Sequence, residues 1–201
     1  DTVVIRSLLK WMQSEGLVRR LRIRTDPEVA IQQVALDLAA RRRAQIVDMD
    51  CGVTIETTQP KSCNSIGGVN RYSQTVMGLA RTLLMTVSAR WKCQITKQSP
   101  MTAWAIRHAS WLHCRFQCLR SLRTPYEWVH GVPYSGEVFM FGSVVMARRP
   151  DALTQPKLEP RYDVGVYLGK TFDSDCHMIG TPSGVLVSRS CRQCAEQELY
   201  D

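Results

Sequence analysis

The feature that most constrains this chain is a change in the period of its apolar residues. Up to about residue 136 they recur mostly every three or four positions, the spacing of helices with one buried face. From Glu137 onward they fall into short alternating or apolar runs of strand length. Within the first part, Leu17–Thr25 and Ile46–Thr57 break the helical spacing and read as strands, the second best formed over Val53–Thr57. Thr2–Gly16, Pro27 to about Arg43, a helix from Val69, and Pro100 to about Leu119 read as helices. Thr124–Gly131 reads as a short one. In the second part Val138–Phe141, Ser143–Met146 and Val164–Gly169 read as strands. His177–Ile179 and Val185–Val187 form a hairpin around Thr181-Pro182-Ser183-Gly184. That order predicts an α/β fold with a small β appendage.

Charge is unevenly distributed. The 201 residues carry a formal +8, with 44% hydrophobic and 22% charged residues, which is ordinary for a globular chain. Residues 61–150, however, hold twelve Lys and Arg against only Glu127 and Glu137, while residues 151–201 are net acidic. Trp91, Trp104, Trp111 and Trp128 lie in that basic segment. Basic side chains interleaved with aromatic ones point to a polyanion partner, the plainer alternative being a solvated basic face above core tryptophans. No apolar run reaches membrane-spanning length and no secretory signal is present, so no membrane partner and an intracellular location, nuclear or cytoplasmic, are expected. The chain starts without Met, and a piece of a longer protein is expected.

The eight cysteines then read as reduced thiols. Cys114 and Cys118, four apart on a helix, read as small buried hydrophobes. Cys191 and Cys194 make one C-x-x-C that Cys176 and His177 complete to four zinc ligands, although adjacent residues make a poor second pair. His108 falls on the apolar side of its helix and reads as a hydrogen-bonded core residue.

Two places carry the candidate chemistry. Asp26 closes the strand Leu17–Thr25 at the edge where α/β sheets gather ligands, and a carboxylate there suits a hard cation. The commoner use of Asp at that position is a helix cap, with Pro27 as the first helical residue, and the two roles are compatible. Lys61–Arg81 passes from a polar, glycine-containing loop into a helix. Val69, Tyr72, Val76, Leu79, Leu83 and Val87 line one face of that helix, and Asn70, Gln74, Met77 and Arg81 the other, with Arg71 beside them. The first turn of such a helix favours phosphate.

These segments together resemble the integrase core of retrotransposon and retrovirus-related Pol polyproteins, copia-type elements above all. Thr25-Asp26-Pro27-Glu28-Val29-Ala30-Ile31 is similar to the segment that supplies the family's second catalytic Asp. Ser62-x-Asn64-Ser65-x-Gly67-Gly68-Val69-Asn70-Arg71 is similar to the segment that supplies its catalytic Glu at a helix start. Trp104–Ala109, Arg123-Thr124-Pro125-Tyr126-Glu127, Val166–Gly169 and Val187-Ser188-Arg189 extend the resemblance over nearly the whole chain.

The resemblance implies a partial RNase H-like core over 1–133 and a small SH3-like β-barrel over 134–201. It also implies DNA as partner, with self-association left open. Three carboxylates would hold two Mg2+ or Mn2+ ions for strand transfer. The chain departs from the pattern twice: Asn70 stands where the Glu is expected, and the first Asp is absent. Asp1 is badly placed to replace it, and Asp48 and Asp50 read as surface acids. By this resemblance Asp26 and Asn70 are the catalytic positions and Asp26 the metal ligand; Arg71, Gln74 and Arg81, which share or flank the exposed face of the helix beginning at Asn70, are the candidate DNA contacts. The expectation is an integrase-like fragment that binds DNA with impaired catalysis. The alternative is a non-catalytic nucleic-acid-binding module.

Overall fold

A computed structural model of the chain describes residues 2–45, 52–58, 67–118, 121–150 and 156–194. Asp1, Asp48, Asp50, the loop Lys61–Ile66 and Leu119, which enter the expectations above, lie outside the described residues. The chain is mixed α/β, as expected, and packs as two units, 1–73 and 74–201. The helices Pro100–Phe116 and Pro125–His130, expected before residue 133, pack in the same unit as the strands after it.

In the first unit α1 (Thr2–Ser14) precedes β1 (Leu21–Thr25), α2 (Val29–Gln45) and β2 (Val53–Thr57). The strands pair in parallel from Leu21↔Val53 to Thr25↔Thr57, which requires the crossover that α2 provides. Ile5, Leu9 and Met12 of α1 meet Leu38 of α2 in a core that Leu21 and Ile23 adjoin. Arg22 and Arg24 alternate outward, where Glu56 takes both at 3.1 and 3.0 Å; exposed pairs of this kind contribute about 0–1 kcal/mol each.

Two boundaries differ from expectation. The strand starts at Leu21 and not at Leu17, because Gly16 turns the chain at φ 66°. The carbonyls of Leu17 and Arg19 accept from the buried Arg42 guanidinium at 2.8 and 2.5 Å, so a side chain takes the place of a neighbouring strand. Helix α2 starts at Val29, so Pro27 is not its first residue and Asp26 stands too far ahead to cap it.

Helix α3 (Gly67–Trp91) crosses the division between the units. In the second unit it is followed by α4 (Pro100–Phe116), α5 (Pro125–His130) and β3 (Val144–Arg148). Then come β4 (Tyr162–Lys170), β5 (His177–Thr181), β6 (Gly184–Ser188) and β7 (Cys191–Gln193). Ser99 caps α4 with Pro100 at its first position. A reciprocal Thr124–Glu127 capping box starts α5, and Gly131, left-handed at φ 77°, ends it where expected.

The five strands form one antiparallel sheet in the order β6-β5-β4-β3-β7. Its end strands would lie about 19 Å apart in a flat sheet. Only Arg189 and Ser190 join them, a link that reaches about 11 Å, so the sheet must curl. It does not close: β6 and β7 do not pair among the described residues, and the expected barrel is an open, curled sheet.

Both faces of the sheet contribute buried residues around the second half of β4 and the start of β5. Leu168 and Met178 join Val76, Ala80 and Val87 of α3 and Ala105 and Ala109 of α4 in one core. Their neighbours Tyr167 and Ile179 face the other way, into a second core with Phe139, Val145 and Ala147. Leu186 and Cys191, from opposite ends of the sheet, adjoin that second core, as the curl requires. The run Val138–Phe141, expected as a strand, is not one. Phe139 and Phe141 alternate because they enter the two different cores, without a strand partner.

The buried side of α4 is wider than the expected stripe. Trp111 is fully buried and Arg115 nearly so, whereas Phe116, expected inside, is 49% exposed. His108 is in the core as expected, stacked near Trp111 and Phe141 with centroids 5.9 and 5.5 Å away. Its Nδ1, however, has no hydrogen-bond partner. Gly169, at φ 118°, lets β4 come this close, since a Cβ there would sit 2.5 Å from that Nδ1.

Burial first, and the neighbouring Arg107 second, lower the His108 pKa to about 4. Between that value and the ordinary 6.5, only the unfolded chain binds the proton. Stability is therefore complete above about pH 6.5 and falls on acidification by up to about 1.4 kcal/mol per pH unit. His113 and His177, also lowered chiefly by burial, act in the same direction. Urea midpoints at pH 7 and pH 5 are expected to separate in the wild type and to draw together in His108→Gln. An equal separation in both proteins would contradict the assignment.

Candidate nucleic-acid interface

Asp26 follows β1 at the carboxyl edge of the parallel pair and is exposed. The pairing continues one step past the strands, with Thr58 N–H donating to the Thr25 carbonyl at 3.0 Å. This brings the Thr58 hydroxyl to Asp26 Oδ1 at 3.3 Å. Gln32 of α2 reaches Thr57 Oγ1 at 3.5 Å, and the buried Thr25 hydroxyl has no hydrogen-bond partner. The edge is thus a polar rim of one carboxylate, three hydroxyls and an amide.

Asn70 lies in the first turn of α3 and is exposed. Among the described residues no hydrogen bond or ion pair joins it to Asp26; the structure brings Asp26 to Thr58 instead. Two divalent ions about 4 Å apart need several anionic oxygens between them. The described residues do not fit that requirement, since the hydrogen-bond partner of the Asp26 carboxylate is the neutral Thr58 hydroxyl. No group of three or more His, Cys, Asp or Glu able to hold a metal occurs among them. The zinc set fares no better. Cys176, His177, Cys191 and Cys194 are all described, and they too form no such group.

Helix α3 presents the rest of the candidate surface. Asn70, Gln74, Met77 and Arg81 form one exposed stripe, with Arg71 exposed beside it. The opposite side is buried only from Val76 onward, through Ala80 and Val87. Val69 and Tyr72 have the right spacing but are 62% and 36% exposed. The outward side is therefore as expected and the first two turns of the inward side are not.

The sequence count of basic residues overstates the surface charge. Arg115, 8% exposed, lies over the rings of Trp111, Tyr126 and Tyr134 at 4.3, 5.3 and 5.5 Å. Half-buried Arg107 donates to the Lys170 carbonyl at 2.9 Å and lies over Phe172 at 5.2 Å. Burial lowers the pKa of both guanidiniums. Arg71, Arg81, Arg90, Lys92, Lys97 and Arg123 are the exposed ones among the described residues of the basic segment. Of its tryptophans, Trp111 is core and Trp104 half-buried, while Trp91 and Trp128 are 42% and 60% exposed.

No helix among the described residues is long and apolar enough to cross a membrane. Neither the models of known protein families nor the curated proteins give a match to this sequence.

Proposed function

We propose that this chain is an integrase-like, DNA-binding fragment of a retrotransposon Pol polyprotein, working inside the cell with its strand-transfer chemistry impaired. The observation that carries the reading is the exposed stripe Asn70–Gln74–Arg81 on α3, with Arg71 beside it at the first turn. A helix presenting amides and guanidiniums on one side meets phosphodiesters with charge-assisted hydrogen bonds.

The fold lends support at a coarser level. A parallel β-α-β unit with Asp26 at its carboxyl edge, followed by a helix carrying Asn70, is what an RNase H-like core would need. A curled five-stranded antiparallel sheet suits an SH3-like domain. Binding without catalysis is the form of the reading that the donor set favours. In the resembled family the metal-ion pair would activate a hydroxyl for attack on phosphate. Here Asp26 is the one acid of the expected triad that is present among the described residues, and Asn70 offers a neutral oxygen on a shorter stem.

Fluorescence anisotropy with a labelled duplex tests the reading. At low salt Arg81→Glu is expected to weaken binding roughly tenfold, since it replaces a phosphate contact by a repulsion. Unchanged affinity in Arg81→Glu, or no binding by the wild type, would overturn it.

A further inference from the structure

The end of the sheet where β3 stops and β6 runs into β7 carries a second concentration of positive charge, independent of α3. A cleft of about 550 Å3 opens there, lined by Arg148, Arg149 and Arg189 with Ser188, Ser190 and Cys176. That volume is within the range of about 300–1,000 Å3 usual for small-ligand sites. No carboxylate lines it among the described residues.

The cleft is held in shape by its own backbone. The Ser188 hydroxyl, 6% exposed as a residue, lies 2.7 Å from the Arg148 carbonyl and 2.9 Å from that of Ser190, and accepts the Ser190 N–H at 3.2 Å. Arg148 N–H donates to the Ser190 carbonyl at 3.0 Å. The turn 188–190 is thereby clamped to the end of β3, which fixes the main chain at Arg148 and Arg189 on either side of the opening. Arg149 is oriented by Asp163, which accepts from its Nε and Nη2 at 2.9 and 2.6 Å. No acid pairs with Arg148 or Arg189 among the described residues.

Three arginines line one concavity and one of them is paired with Asp163, which leaves the cleft net positive, and guanidinium forks suit the oxygens of a tetrahedral anion. We infer that this cleft binds a phosphate group. The phosphate belongs either to a nucleic-acid backbone or to a small phosphorylated molecule, and the chemistry recognised is the same. Nothing in this inference requires Asn70 or Arg81, so it stands or falls apart from the α3 surface.

The test follows arginine Nε–Hε and backbone amide resonances of the whole chain while inorganic phosphate is added at constant ionic strength. Saturable shifts are expected at Arg148, Arg189 and Ser190. In Arg148→Gln/Arg189→Gln the affinity is expected to fall more than tenfold, whereas Arg81→Gln leaves it unchanged. Arg189→Gln alone, an exposed substitution that leaves the Ser188 clamp intact, is expected to weaken binding at least threefold. A short duplex that moves the same resonances and competes with phosphate identifies the backbone as the source. A duplex that leaves them unmoved, with phosphate still bound, identifies a small phosphorylated ligand. Shifts spread without saturation over exposed arginines such as Arg22 and Arg161, or undiminished binding in both cleft variants, would overturn the inference.

Discussion

Replacing Trp111 by alanine is expected to destabilise the second unit by about 3–5 kcal/mol, the range for removing a fully buried aromatic side chain. Trp111 has no exposed surface and sits among His108, Phe116, Tyr134 and Arg115, so its loss leaves a cavity bordered by four separate contacts. Two of these partners cannot simply collapse inward. Arg115 would lose the ring over which its guanidinium lies, and His108 is fixed by the close passage of β4 at Gly169. Trp111→Phe, which keeps an aromatic surface, should lose clearly less. Hydrogen exchange of the β4 and β5 amides with added urea measures this for the unit concerned. A loss below about 1 kcal/mol, the size of a typical surface or mild substitution, would contradict the packing described.

The second large effect concerns Lys170, 3% exposed at the end of β4. Its ammonium donates to Asp175 Oδ2 at 2.7 Å and to the Tyr134 hydroxyl at 2.9 Å, and that hydroxyl in turn lies 2.9 Å from both Asp175 oxygens. Burial first, and the Asp175 hydrogen bond second, push the Tyr134 hydroxyl well above its ordinary pKa, so it stays a donor. Asp175→Asn keeps the shape and tolerates the left-handed backbone at φ 52°, but leaves a buried ammonium facing a neutral amide. The expected cost is about 2–4 kcal/mol, reaching below the range for a wholly buried pair because the Asp175 side chain is 43% exposed. Lys170→Met should cost less than Asp175→Asn, since it removes the charge that needs a partner. The double variant should be more stable than Asp175→Asn alone. The reverse order in denaturant midpoints would mean that the ammonium is not desolvated as the structure has it.

These two effects also mark where sequence reading stopped. β2, α5 and the β5–β6 hairpin were legible because local chemistry defines them: a β-branched run, a capping box with a left-handed glycine, and a Pro-Ser turn. β1 lost its first four residues to Arg42, whose burial depends on carbonyls more than twenty positions away. Periodicity assigns a charged residue to the outside, so Arg42, Arg115 and Lys170 could not be read as buried without their partners. β7 has three residues, too few for an alternating pattern. At the candidate site the positions of Asp26 at a strand end and Asn70 in a first helical turn were legible. The bond from Thr58 to Asp26 was not, because it comes from parallel pairing across 32 residues. In the sheet-end cleft Arg189 lies 40 positions beyond Arg149 and its neighbour Arg148, and meets them only through the curl.

The central claim, that the outward side of α3 meets nucleic-acid phosphates, is tested most directly by the salt dependence of duplex binding. For the wild type, log K should fall linearly with log salt concentration. In Arg71→Gln/Arg81→Gln that slope should become shallower by about 1.8, two phosphate contacts at roughly 0.9 each. A slope unchanged in the double variant, or an affinity insensitive to salt in the wild type, would contradict it.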